Sequence, residues 1–143
     1  MTYAQTPTKS PTRNIVFVCE HGAALSVISA AYFNKFAAER HLDWHAIARG
    51  VTPQENLSVS AEAGLKKDGV PYETVKPQAV TQEDLDHAGY LVTFLSLPEK
   101  LVVHVPVEHW DDVKWAPNDY DKVRDAILKH MQKLLGTLAN TKP

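Results

Sequence analysis

NIVFVCEHGAALS, residues 14–26, is the stretch whose reading decides the fold. Asn14 to Val18 is a short, β-branched apolar run of the kind that forms a strand buried on both faces. It leads directly into Cys19 and a loop containing Gly22. From about Ser26 the pattern becomes helical, with Ile28, Tyr32 and Phe36 at four-residue spacing and Ala31 and Ala37 beside them. In a sheet built from such strand–loop–helix units, ligands gather at the C-terminal ends of the strands, where loops meet helix N-termini. The backbone N–H groups of Glu20, His21, Gly22, Ala23, Ala24 and Leu25 can converge there on an anion, helped by the helix dipole. The same field favours a thiolate at Cys19. Gly22 permits a left-handed backbone. A second reading, a structural cysteine packed inside an ordinary connecting loop, fits the spacing equally well.

Working outward, Trp44 to Gly50 predicts a second short strand that ends at a glycine. SVSAEAGLKKDG (58–69) predicts a helix capped by Gly69. Thr81 to Ala88 predicts another helix, opened by a Thr81–Asp84 capping signal and closed by Gly89. YLVTFL (90–95) reads as a further buried strand, and Val102 to Val107 as a weaker one in which Pro106 marks an edge or an end. From Asp121 onward, Val123, Ile127, Met131, Leu134 and Leu138 form one apolar stripe. Lys122, Arg124, Lys129 and Lys133 lie off it. Strands alternating with helices argue for a mainly parallel sheet covered on both faces.

The chain has 143 residues and a net charge of -2, which suits one domain and gives no reason to expect nucleic acid or an acidic membrane surface as partner. No apolar run approaches the ~20 residues of a membrane span. Residues 1–13 are polar and rich in Thr, Pro and Ser, so a flexible leader is expected ahead of a single domain over 14–140. The one cysteine excludes an intrachain disulfide and makes the cytoplasm the simplest expected location. His41 and His45, and His104 and His109, lack the carboxylate or cysteine company of a good metal signature, so no metal and no cofactor is expected.

VFVCEHGAALSVISAAYF (16–33) resembles the signature of the low-molecular-weight tyrosine phosphatase and arsenate reductase superfamily. In that signature a buried strand ends in Cys, five residues follow, and Arg and Ser open a helix. Cys19 matches the nucleophile, and Ser26 matches the serine whose hydroxyl supports the thiolate. Gly22 stands where phosphatases usually carry an asparagine. Further on, ARGV (48–51), AEAGLKKDGV (61–70), TQEDLDHAGYLVTF (81–94), VEHWDDV (107–113) and YDKVRDAI (120–127) follow the superfamily's order and spacing over about residues 14 to 138. The resemblance implies a three-layer α/β/α sandwich with a four-stranded parallel sheet, and as ligand a small oxyanion (phosphate or arsenate) or a phosphoprotein.

Two departures bear on activity. Leu25 occupies the place of the arginine that grips two oxyanion oxygens in a bidentate fork. The family's general acid, an aspartate usually followed closely by proline, falls in HWDDVKWAPND (109–119), where Asp111 and Asp112 are the candidates and neither precedes a proline. The two further cysteines of a thioredoxin-coupled arsenate reductase are missing. The resemblance therefore implies an oxyanion loop with impaired catalysis, a pseudoenzyme. The alternative is an active phosphatase, or a single-cysteine reductase using an external thiol, with Arg49 or His21 in the arginine's place. The sequence leaves the oligomeric state open.

Overall fold

The computed structural model describes residues 13–140; the expected leader, apart from Arg13, lies outside them. The elements run β1 (Arg13–Cys19), α1 (Leu25–Glu39), β2 (Trp44–Gly50), α2 (Val59–Asp68), α3 (Gln82–Asp86), β3 (Ala88–Thr93), β4 (Val107–His109) and α4 (Tyr120–Ala139). The four strands form one parallel sheet in the order β2-β1-β3-β4. The expected α/β sandwich is therefore present. Among the described residues, no helix is long and apolar enough to cross a membrane.

β1 is central, and every residue from Ile15 to Val18 is fully buried, as a strand covered on both faces requires. Ile15, Phe17 and Cys19 face the larger core, shared with α1, α2 and α4. Val16 and Val18 face a smaller one made with Leu85 of α3, Leu91 of β3 and the chain around Leu101 to Val107. Trp110, just beyond β4, is buried between Phe17 and Phe94 and stacks on His130 of α4. Its burial anchors the loop that follows.

Local signals set most boundaries. Ser58 caps α2 by accepting the Ala61 N–H, and Gly69 ends it in the left-handed region at φ 70°. Thr81 and Asp84 form a full capping box on α3. That helix ends on His87, and Gly89 lies inside β3 rather than after the helix. There its bare Cα leaves room for the Trp44 ring, which an added Cβ would approach to 3.0 Å. The weak strand expected over 102–107 is corrected to Val107–His109. Pro106 has no N–H to extend the ladder backwards, and the Val102 backbone is engaged by the Gln82 amide at 2.8 and 2.9 Å. Val103 and Val105 still pack on the smaller core, so their alternation reported burial and not strand pairing.

Two polar devices complete the scaffold. Asp68, at the end of α2, accepts hydrogen bonds from Tyr32 of α1 (2.6 Å), Tyr120 of α4 (3.1 Å) and Arg124 of α4 (3.0 Å). At the sheet's edge, the Asn34 side chain donates to the Ala46 carbonyl and accepts the Ala46 N–H. Farther along the same edge, Gly50 donates to the Gln78 carbonyl and accepts from Val80.

Candidate functional site

β1 delivers Cys19 to the C-terminal edge of the sheet, and residues 20–24 curl from it into the N-terminus of α1. The loop's carbonyls are turned away from the sulfur. Cys19, Glu20, His21 and Ala23 oxygens accept N–H groups of Val51, Thr52, Gln54 and Ser58 at 2.7–3.1 Å. The backbone N–H groups of residues 20–26 make no hydrogen bond to protein among those described. A loop whose carbonyls are bonded outward and whose amides are left free is a nest for an anion or a developing negative charge.

Cys19 is nearly buried (4% exposed), and its sulfur lies 3.1 Å from the hydroxyl of Ser26, a wholly buried residue. The pair suits a thiol donating to the hydroxyl, or a thiolate accepting from it. Gly22 has the expected positive φ, 61°. A Cβ on Gly22 would come within 2.9 Å of the Gly50 nitrogen, and one on Gly50 within 2.5 Å of the Gly22 nitrogen. Two glycines thus let the loop lie backbone to backbone on the end of β2.

A cavity of about 460 Å³ opens over Cys19. Ala23, Ala24 and Leu25 of the loop line it, with Phe94 and Leu95 beyond β3 and Val113, Trp115 and Pro117 beyond β4. Glu20, His21 and Lys114 supply its ionisable side chains among the described residues. His21 places Nδ1 3.2 Å from the Thr52 carbonyl, a contact that favours the Nδ1–H tautomer.

Several expected partners stand elsewhere. Neither Asp111 nor Asp112 lines the cavity. Asp112 turns to His130 of α4 at 2.9 Å, and that hydrogen bond holds its carboxyl below the usual range, the opposite of what a general acid needs. Arg49 is bound by Asp84 through Nε at 3.0 Å and does not line this cavity. Lys114 is the cation that sequence reasoning missed. Nothing local in HWDDVKWAPND marks Lys114 out; it reaches the cavity from a loop whose start, Trp110, is buried in the core, and that is a tertiary effect. The described residues contain no group of three or more His, Cys, Asp or Glu placed to hold a metal.

The backbone is similar to several solved structures. A thioredoxin-dependent arsenate reductase of Corynebacterium glutamicum matches with a TM-score of 0.80 at 16% identity; the match covers 94% of this chain but 66% of that one. The arsenate reductase of Archaeoglobus fulgidus matches at 0.68 and 27% identity over 85% of this chain and 98% of its own. A low-molecular-weight protein tyrosine phosphatase from T. tengcongensis matches at 0.69 and 22% identity over 87% and 99%. No family model and no curated protein matches the sequence.

Proposed function

We propose that this chain, which has the fold of the low-molecular-weight tyrosine phosphatase and arsenate reductase superfamily, keeps the oxyanion loop around Cys19 and has lost the machinery for efficient phosphoryl or arsenate chemistry. The observation that carries this reading is the wall of the Cys19 cavity. Leu25, which the resemblance aligns with the family's arginine, lines that wall with an apolar side chain, and neither Asp111 nor Asp112 reaches the cavity to protonate a leaving group.

The magnitude follows from the missing contacts. A charge-assisted hydrogen bond is worth about 1.5–3 kcal/mol, so losing two costs about 3–6 kcal/mol. At ~1.4 kcal/mol per decade this is roughly a hundred- to ten-thousandfold in rate before the missing acid is counted. The opposing reading, a working phosphatase or single-cysteine reductase with a substitute cation, keeps His21 of the two expected substitutes, since Arg49 is committed to Asp84, and gains Lys114, which also lines the cavity. The two separate on one assay, hydrolysis of a small aryl phosphate by the wild type and a Cys19→Ser variant. Impairment predicts turnover that is absent or at least about a hundredfold below the usual enzyme scale. Cys19-dependent turnover at ~1–1000 per second, the usual enzyme scale, would refute it.

A further inference from the structure

The cavity over Cys19 is unsuited to a dianion and suited to a different electrophile. Its fixed charges, Glu20 and Lys114, cancel, and Lys114 also lies near enough to Asp112 to act on that carboxyl. The remaining wall is largely apolar: Leu25, Phe94, Val113, Trp115 and Pro117. Phosphate or arsenate entering such a space would shed water and meet no net positive side-chain charge to offset its two negative ones. A neutral molecule with an apolar group would be favoured by the same walls.

The loop nevertheless keeps the two parts that acyl transfer needs. One is a sulfur nucleophile supported by a hydroxyl, Cys19 with Ser26 at 3.1 Å. The other is a set of backbone N–H groups without protein partners beside it. An acyl carbonyl is uncharged in the ground state and develops a single negative charge on oxygen when attacked. Backbone donors suffice to stabilise that charge, and no guanidinium is required. Leu25, a defect for phosphoryl transfer, becomes a contact surface.

We propose that Cys19 is acylated by esters or thioesters of small apolar acids bound in this cavity. The inference rests on the reading that the Cys19 loop is the functional site and no longer turns over phosphate. The sulfur attacks the carbonyl carbon and forms a C–S bond, while the carbonyl π pair moves to oxygen, facing the loop amides. Collapse breaks the bond to the leaving alcohol or thiol, which departs with the proton from the Cys19 thiol. Water then attacks the thioester, gives a proton to Nε2 of His21, and the C–S bond breaks. The carboxylic acid leaves and the proton returns to sulfur.

The test is p-nitrophenyl butyrate with the intact chain, followed by nitrophenolate release and by intact-protein mass for one added acyl group, alongside an aryl phosphate. The expected result is acylation at Cys19 about a hundredfold faster than that of a free cysteine derivative at the same pH, the scale of one well-placed oxyanion donor. Acylation should vanish in Cys19→Ser, and in His21→Gln the acyl adduct should persist longer. A rate equal to the free thiol's, or to that of the urea-unfolded chain, overturns the proposal. If the aryl phosphate is silent as well, the impaired-phosphatase reading stands and only the acyl reading falls. If the aryl phosphate turns over rapidly through Cys19, the underlying reading falls instead.

Discussion

Leu25→Arg tests the site most directly. Leu25 is the first residue of α1, only 8% exposed, and lines the cavity beside Cys19. An arginine there rises from the helix's first turn toward the free amides of the loop. Two new charge-assisted hydrogen bonds to an oxyanion are worth about 3–6 kcal/mol. Against this stand the lost leucine contact and the partial desolvation of the guanidinium. Both are softened because the arginine stem lies along the same apolar wall. A net gain of about 2–4 kcal/mol is roughly thirtyfold to several hundredfold in affinity. The assay titrates vanadate, phosphate and arsenate into both proteins and follows protection of Cys19 from alkylation, with thermal melting as the control for folding. Hydrolysis should still lag, because no acid faces the leaving group. A variant that melts like the wild type and binds no anion more tightly would show that the loop amides are not directed at an oxyanion. The likeness to phosphatases would then be one of scaffold alone.

Gly50→Ala should cost about 1–3 kcal/mol, since its Cβ would stand 2.5 Å from the Gly22 nitrogen and 2.7 Å from the His21 carbonyl carbon, backbone atoms that cannot turn aside. Calorimetry should find a lower melting temperature, and Cys19 alkylation should speed up as the loop lifts; unchanged values would contradict the close approach. Asp68→Ala removes the shared acceptor of Tyr32, Tyr120 and Arg124 and should cost roughly 2–3 kcal/mol in urea unfolding. Burial alone would raise the Asp68 carboxyl, but the bonds from Tyr32, Arg124 and Tyr120 outweigh it and leave it depressed. Its stabilisation is thus complete above the ordinary aspartate range and is lost as pH falls through the lower folded value. The wild type should therefore show a steeper acid limb than the variant below about pH 4.

The sequence was most legible where local rules and burial agree. β1, the Cys19 turn, the positive φ of Gly22, the Gly69 cap and the Thr81 capping box all depend on neighbours in the chain. What depended on distant residues was not legible. Val102 to Val105 carries strand-like alternation, yet the Gln82 amide occupies the Val102 backbone and Pro106 blocks the ladder. Asp112 read as an acid because its place in the order was right. Its partner, His130, is eighteen residues later on a helix face that packs on Trp110. Arg49 lies beside the loop in sequence register, but the alternation of β2 sends its side chain to Asp84.

The edge of β2 has a consequence for life in a concentrated solution. A parallel sheet ordinarily leaves its outer strand with a row of main-chain groups that invite another strand to add itself. On β2 the outward positions are Trp44, Ala46, Ala48 and Gly50, and the carbonyls of the last three are already taken by the Asn34 amide, by Arg49 Nη1 and by Val80. An incoming strand would find acceptors filled from Ala46 onward, with a side chain or a loop in its path. At the opposite edge β4 is only three residues long, too short to seed a ladder. The sheet is chemically finished at four strands, so a neighbouring chain gains little by trying to extend it, even though its central strands are as apolar as those of many aggregation-prone segments.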